Sequence, residues 1–400
     1  MLRTRQAKLL GVLLTVAMLG LSACQAAEPV PGGTADEIKI GVPTVFTGSL
    51  ALDGDFTKKT VDLIVKRANA AGVVNGRKIK IVYEDDGCDA TKGVAAVRKL
   101  LDRDQVFAIL GTSCTPVSVA VSQLADQEKF PFLIGVPLPV KVAQEYHRYT
   151  FVNNIIGTEQ APALTDWVMQ NMKPKRVALL YYELESANSL NDGIKAYLKS
   201  KYNMDPVADE HFKFGQADIS ANILRVKASN PDVVVASVLG TQGGAQLQQV
   251  RQMGITAPIV GGTFLNIVGT AKAAGSAIDG VTYLEMHADS PDGATNASFA
   301  EFIKDFRTAY ADIPTRDMGT VNWTVGAATA SMIEGLKRAG RDITREKLVD
   351  ALETLNKFDA KTAVITYTNK SHYGPAMVNI YRWKADGTRT KIAGPIEVKK

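Results

Sequence analysis

Histidine and cysteine are scarce in this 400-residue chain, four and three respectively, and their scarcity removes several kinds of chemistry. His147, His211, His287 and His372 are scattered, and none forms a spaced pair for a metal; each reads as a surface or internally bonded residue. Cys88 and Cys114 have no histidine neighbour at ligand spacing, so they read poorly as metal ligands. No GxGxxG follows the first strand-like segment, and no P-loop occurs. The stretch Gly111-Thr112-Ser113-Cys114-Thr115 lacks the closing glycine of a nucleophile elbow. No Lys/Arg cluster stands out, which leaves nucleic acid without an electrostatic footprint. The expectation is a chain with no catalytic residue, no metal, no cofactor and no nucleic-acid partner.

Long apolar runs are also missing, with one exception. Arg3, Arg5 and Lys8 precede an uncharged run from Leu9 to Leu21, as a basic n-region precedes the h-region of a secretory signal. Its 13 residues are too few to span a hydrocarbon core of roughly 30 Å comfortably. The run ends in Leu21-Ser22-Ala23-Cys24, the pattern of a bacterial lipobox, in which the thiol of Cys24 takes the lipid. Residues 1–23 are thus expected to be a lipoprotein signal peptide. Residues 24–35, rich in Pro, Gly and Ala, form a tether between membrane and domain. Without the leader, 46 basic residues become 43 against 41 acids, a net charge of +2. A periplasmic or cell-surface, membrane-anchored location follows. That oxidising setting favours pairing of Cys88 with Cys114, worth roughly 3 kcal/mol through the loop it closes.

The remaining 365 residues suit two domains. Glu37 to Val42 alternates as a strand, and Val61, Ile64, Val65 and Ala68 recur at helical spacing. Strand Ile79 to Tyr83, helix Val94 to Leu101, strand Val106 to Leu110, a helix from about Pro116 and strand Phe130 to Ile134 follow. The same alternation restarts with helix Gln160 to Met172 and strand Arg176 to Tyr182, and runs to Ile259-Val260. Helices near 297–310, 320–338 and 344–355 then come without intervening strands, and strand-like stretches 376–383 and 388–392 close the chain. This is the grammar of two parallel sheets covered on both faces.

Ligands of such sheets sit at the carboxyl ends of strands, so the turns there are the candidates. In Gly111 to Pro116, Thr115 suits an N-cap and Pro116 the first helical turn. Free N–H groups with the Ser113 and Thr115 hydroxyls suit a carboxylate, although ordinary capping accounts for the same residues. Val136-Pro137-Leu138, Tyr182-Glu183, Gly240 to Gly244 and Gly261-Gly262-Thr263 are turns of the same kind.

Several stretches carry a resemblance. Ile38-Lys39-Ile40-Gly41-Val42 with Thr47-Gly48, Asn69-Ala70-Ala71-Gly72-Val73 with Asn75-Gly76, Tyr83 to Asp89, Gly111 to Cys114 and Pro131-Phe132-Leu133-Ile134 are similar to the leucine/isoleucine/valine-binding family of periplasmic receptors, the type I solute-binding proteins. The likeness runs over nearly all of residues 36–400. It implies an α/β fold with two doubly wound parallel-sheet lobes joined by a three-strand hinge, a Venus-flytrap. Lobe 1 would hold residues 36–155 plus 288–370, and lobe 2 residues 156–287 plus 371–400. Crossovers are expected near Ile155, near Leu284 to His287 and near Tyr367 to His372. The family joins the segments holding Cys88 and Cys114 by a disulfide. Such receptors are monomers that close on a small-molecule solute and dock on an ABC permease in the inner membrane. A sensor that reports to a membrane receptor is an alternative use of the same fold.

The departures from the family bear on the solute. Thr115 supplies the hydroxyl that amino-acid-binding members present to the ligand carboxylate. The positions matching the segment that meets the ammonium are Val136 and Leu138, both apolar. Thr263 stands where those members place an acid, and Ser186-Ala187 replaces their Tyr-Gly. A buried ammonium without a counter-charge costs several kcal/mol. Asp53 faces two readings, a side chain turned to the pocket or a helix-leading acid beside Asp55 favoured by the macrodipole. The expected ligand residues are Asp53, Ser113, Thr115, Val136, Leu138, Gly157, Ser186 and Thr263. The first expectation is a small carboxylate without an α-amino group, aromatic or apolar in body; branched-chain amino acids come second.

Overall fold

The computed structural model describes residues 32–34, 36–48, 50–111, 113–135, 145–267, 269–287, 289–375 and 377–398. Cys24, the leader and most of the tether lie outside this range, as do Val136 and Leu138.

The first strand, β1 (Glu37–Thr44), buries Ile38, Ile40 and Val42. Helix α1 (Ala51–Ala71) returns the chain to β2 (Lys78–Asp85), which pairs parallel with β1 from Glu37↔Lys78 to Thr44↔Asp85. Helix α2 (Ala90–Asp102) leads to β3 (Ala108–Leu110), and α3 (Thr115–Glu128) to β4 (Phe132–Ile134). Ala108-Ile109-Leu110 and Phe132-Leu133-Ile134 are buried throughout, because a parallel strand between two helical layers has no wet face. Strand β5 (Thr150–Val152) completes a five-stranded parallel sheet of order β2-β1-β3-β4-β5. Unlike β3 and β4, β5 has no continuous apolar run around it, since Thr150 interrupts Tyr149 to Val152, and it is absent from the sequence-based order.

The second unit repeats the plan. Helix α4 (Gly157–Asn171), β6 (Val177–Glu183), α5 (Glu185–Tyr202), β7 (Ala208–Lys213), α6 (Ser220–Ala228), β8 (Val233–Ser237), α7 (Gly240–Gln252) and β9 (Ile259–Gly261) follow the expected alternation. A short helix, α8 (Thr270–Ala274), then precedes β10 (Thr282–Glu285), another short strand missed in the sequence. The seven-stranded sheet has the order β14-β13-β10-β9-β8-β6-β7. It is parallel from β7 to β10, whereas β13 (Met377–Trp383) and β14 (Arg389–Glu397) add antiparallel at one edge.

Between β10 and β13 the chain returns to the first sheet. Helix α9 (Ala297–Ala309) stacks Phe306 on Phe56 of α1 with ring centroids 6.2 Å apart. Helix α10 (Thr320–Ala339) lies against α1, where Asn322 Nδ2 donates to Thr60 Oγ1 at 2.9 Å. Helix α11 (Arg345–Leu352) sends Arg345 Nε to the Phe107 carbonyl at 2.9 Å, and a small hairpin of β11 (Phe358–Asp359) and β12 (Val364–Ile365) follows. The chain therefore passes between the sheets after β5, after β10 and after β12. Among the described residues no helix is long and apolar enough to cross a membrane.

Candidate ligand-binding cleft

The parallel parts of the two sheets share one strand order, 2-1-3-4-5 in the first and 7-6-8-9-10 in the second. Such an order reverses direction beside its first strand and leaves a crevice at the carboxyl ends. The two sets of carboxyl ends face one another across a cleft of about 750 Å3, counting the open space at its mouth.

From the first sheet, the turn after β1 contributes Leu50 and Asp53, and the turn after β3 contributes Ser113 and Thr115. Ser113 Oγ is 3.1 Å from Thr44 Oγ1 and 3.2 Å from Thr57 Oγ1, so β1 and α1 hold it from two sides. The Cys88–Cys114 disulfide, Cα atoms 5.4 Å apart, ties the β2 and β3 turns together beneath it. One expectation is corrected here. The N-cap of α3 is Cys114 in an extended conformation, with Thr115 and Pro116 already in the first turn. The disulfide anchors Cys114 just outside the helix, which moves the cap one residue earlier than hydroxyl capping preference would place it.

Asp53 occupies the first turn of α1, only 7% exposed, and its side chain bonds to none of the described residues. Gly54 explains how it comes so close. A Cβ there would stand 1.8 Å from the Val45 carbonyl oxygen, so the turn lies directly on the end of β1. Burial pushes the Asp53 carboxyl up to about 7. Among the described lining residues there is no lysine, arginine or histidine, and Asp53 is the one carboxylate.

The second sheet supplies a mostly apolar wall. Tyr182, at the end of β6, meets Phe264 edge-on with centroids 5.7 Å apart, and Phe214 at 5.8 Å. Ser186, in the first turn of α5, hydrogen-bonds the Tyr182 phenol, which burial holds above its ordinary range. Thr263 follows β9. Its N–H approaches Gln160 Oε1 at 3.4 Å, and its carbonyl accepts from Thr320 Oγ1 at 3.0 Å. Leu50 and Leu52 at the α1 start approach the second sheet's side of the cleft. A Cβ on Gly240 would lie 3.9 Å from Leu50 Cδ2, and one on Gly269 3.2 Å from Leu52 Cδ2.

A buried polar network backs the cleft. Glu285 shares a hydrogen bond with Thr320 Oγ1 and accepts from Asn266 Nδ2 at 3.1 Å and from the Met286 N–H at 2.8 Å, and burial pushes its carboxyl up to about 7. Arg389 donates to Asn266 Oδ1 at 3.0 Å, to the Met318 carbonyl at 2.8 Å and to Asp292 at 3.0 Å. The β9 turn, β10, β14 and the start of α10 are thereby locked in one unit.

Of the expected ligand residues, the fold brings Asp53, Ser113, Thr115, Ser186 and Thr263 to the cleft wall. Gly157 is not on it; it begins α4, where a Cβ would meet the Leu190 N at 2.3 Å, so its role there is helix packing. Sequence reasoning missed the aromatic wall and the α10 residues Thr320, Val321, Thr324 and Val325. Tyr182 was visible as a residue at a strand end, but nothing local marks α10, which reaches the cleft only through tertiary packing. The four histidines lie apart, bonded to Asp126, Glu183, the Asp289 carbonyl and Glu353 in chain order. Among the described residues no cluster of His, Cys, Asp and Glu is arranged to hold a metal.

Known proteins give the same architecture. The chain is 24% identical over 372 residues to the Leu/Ile/Val-binding protein of Escherichia coli K12, covering 92% of this chain and 97% of that protein. A branched-chain amino acid transporter substrate binding protein from Streptococcus pneumoniae, solved with isoleucine, superposes with a TM-score of 0.77 at 21% identity, covering 89% and 99% of the two chains. An ABC transporter solute binding protein from R. palustris, solved with benzoate, gives a TM-score of 0.80 at 18% identity, covering 91% and 97%. The sequence profile of the periplasmic binding proteins matches residues 37–388. With that match across nearly the whole described chain, and with facing parallel sheets around one cleft, the protein belongs to the periplasmic binding protein family.

Proposed function

We propose that the chain is the extracytoplasmic solute-binding lipoprotein of a branched-chain-amino-acid-type ABC importer. It closes on a small carboxylate, aromatic or apolar in body, and catalyses nothing. Residues 36–155 plus 288–370 form one lobe and 156–287 plus 371–400 the other, with the three passages between the sheets as the hinge. Cys24 carries the lipid anchor, residues 24–35 are the tether, and a monomer delivers its solute to an inner-membrane permease.

The observation that carries this reading is the pairing of Ser113 and the first turn of α3 with an aromatic wall across the cleft. Hydroxyls and helix N–H groups suit a carboxylate, and Tyr182, Phe214 and Phe264 suit an apolar body. Isoleucine and benzoate, bound by two proteins of this fold, share those two features. Branched-chain amino acids are the second reading, favoured by the name of the E. coli relative.

Thermal unfolding with a panel of aliphatic and aromatic carboxylates and amino acids tests the proposal. A solute that binds only the folded state adds about 2.7 kcal/mol at a hundredfold excess over Kd, enough to raise Tm by about 2 °C or more. A shift with sugars or polyamines and none with any carboxylate would sink the reading.

A further inference from the structure

The charge balance of the cleft is incomplete without its solute. We infer that Asp53 is the specificity-determining residue, holding a protonated nitrogen on a solute whose carboxylate meets Ser113 and the first turn of α3. This rests on the carboxylate reading above and adds a second charge of opposite sign to the solute.

Asp53 lines the cavity, is almost wholly buried, and receives no hydrogen bond among the described residues. Glu285 and Asp86, two further buried acids, do not line the cleft: Glu285 has three hydrogen-bond partners, and Asp86 accepts from the Cys88 N–H at 2.9 Å. A carboxylate held out of water without a partner is unfavourable, and the α1 macrodipole offsets only part of that. Two events relieve it: uptake of a proton, or arrival of a cation.

The position of Asp53 favours a cation on the solute itself. Thr57 lies one turn further along the same face of α1, and its hydroxyl is 3.2 Å from Ser113 Oγ. The acid and the carboxylate-binding hydroxyls are thus neighbours across one helical turn, a span that a molecule with a carboxylate and a nearby nitrogen bridges. The resemblance to amino-acid-binding receptors places the counter-charge after β9, where Thr263 stands; here it comes from the opposite side of the cleft. This departs from the sequence-based expectation of a carboxylate lacking an amine, because the burial of Asp53 depends on the seat of Gly54 against Val45.

The two solute classes respond to pH in opposite senses. The polar groups sharing the cleft with Asp53 are Ser113 and Thr115 from α3 and its turn, Thr320 and Thr324 from α10 and Tyr182 from β6, with Thr57 on its own helix, Glu285 behind Thr320 and Asp86 behind Cys88. A cation binds better once Asp53 is ionised, so its affinity rises with pH. A plain anion binds better while Asp53 is protonated, so its affinity falls.

Isothermal titration of the full chain would use leucine, phenylalanine, 4-methylpentanoate, 3-phenylpropanoate and phenethylamine, at about pH 8 and about pH 5.5. The wild type, Asp53→Asn and Glu285→Gln would be compared. We expect an amino acid to bind about tenfold or more tightly than its deaminated counterpart at the higher pH. That preference should shrink at the lower pH in wild type and Glu285→Gln alike, and vanish in Asp53→Asn. Equal binding of the deaminated acid, or a preference that survives Asp53→Asn, overturns the role of Asp53 and leaves the carboxylate reading intact. Binding of phenethylamine without either acid overturns the carboxylate reading and keeps Asp53. Silence from every probe overturns both. Should Asp53→Asn fail to fold, the sign of the wild-type pH response decides the question.

Discussion

Thr320 has one hydroxyl proton and faces three acceptors: the Thr263 carbonyl at 3.0 Å, the Asn266 carbonyl at 3.4 Å and the Glu285 carboxyl. A protonated Glu285 resolves the conflict, donating to Thr320 while Thr320 donates to Thr263. This one side chain couples the start of α10 to the β9 turn at the back of the cleft. Thr320→Val keeps the shape and removes the hydroxyl, leaving Glu285 and the Thr263 carbonyl short of a buried partner. The expected cost is about 1–3 kcal/mol in urea unfolding, with weaker solute binding as the β9 turn loosens. Single residues were unequally legible in the sequence. Ser113 announces itself by following an apolar strand, whereas Thr320 and Glu285 meet only because β10 and α10 are neighbours in space. Asp53 was visible as a charge, but its burial was not, since Asp53-Gly54-Asp55 reads equally well as an exposed helix start.

Elements with a long period, or short strands set in a longer apolar run, were read correctly. Helices α1 to α7 and strands β1 and β2 follow hydrophobic patterns of several repeats, whereas the three-residue β3 and β4 sit in the continuous apolar runs Val106 to Leu110 and Phe130 to Ile134. Strands β5 and β10 have only three and four residues, and the β11–β12 hairpin two in each arm, too few for alternation to stand out. The Cys88–Cys114 link, with a sequence separation of 26, joins the turns before α2 and α3. Replacing both cysteines by serine should lower stability by about 3–4 kcal/mol through the freed loop. The solute affinity should fall as well, because Cys114 fixes the start of α3 beside Ser113. Thermal melts and titrations of the double variant check both, and a melt unchanged within a degree would count against the disulfide as an anchor.

At the scale of the whole molecule, three buried carboxyls give the fold a pH response. Asp53 is raised from 3.8 to about 7, Asp86 from 3.8 to about 6 and Glu285 from 4.5 to about 7. Between those ordinary values and 7 the folded state holds more protons than the unfolded one. Their contribution to stability therefore falls as pH rises from about 4 to about 7, and is level above that. Chemical denaturation of the solute-free protein across that window should show the decline, with a shallower slope in Glu285→Gln. A bound cation would ionise Asp53 and release its proton, so uptake of such a solute near neutral pH acidifies a weakly buffered solution. The leucines at the start of α1 have a further consequence. Leu50 and Leu52 reach across to Gly240 and Gly269, with Ile267 and Thr241 beside them. Two methyl-rich side chains against glycine, each with one methyl-bearing neighbour, make a contact of small area to break when the sheets part. The residence time of a captured molecule should then follow mainly from its own contacts on the inner walls.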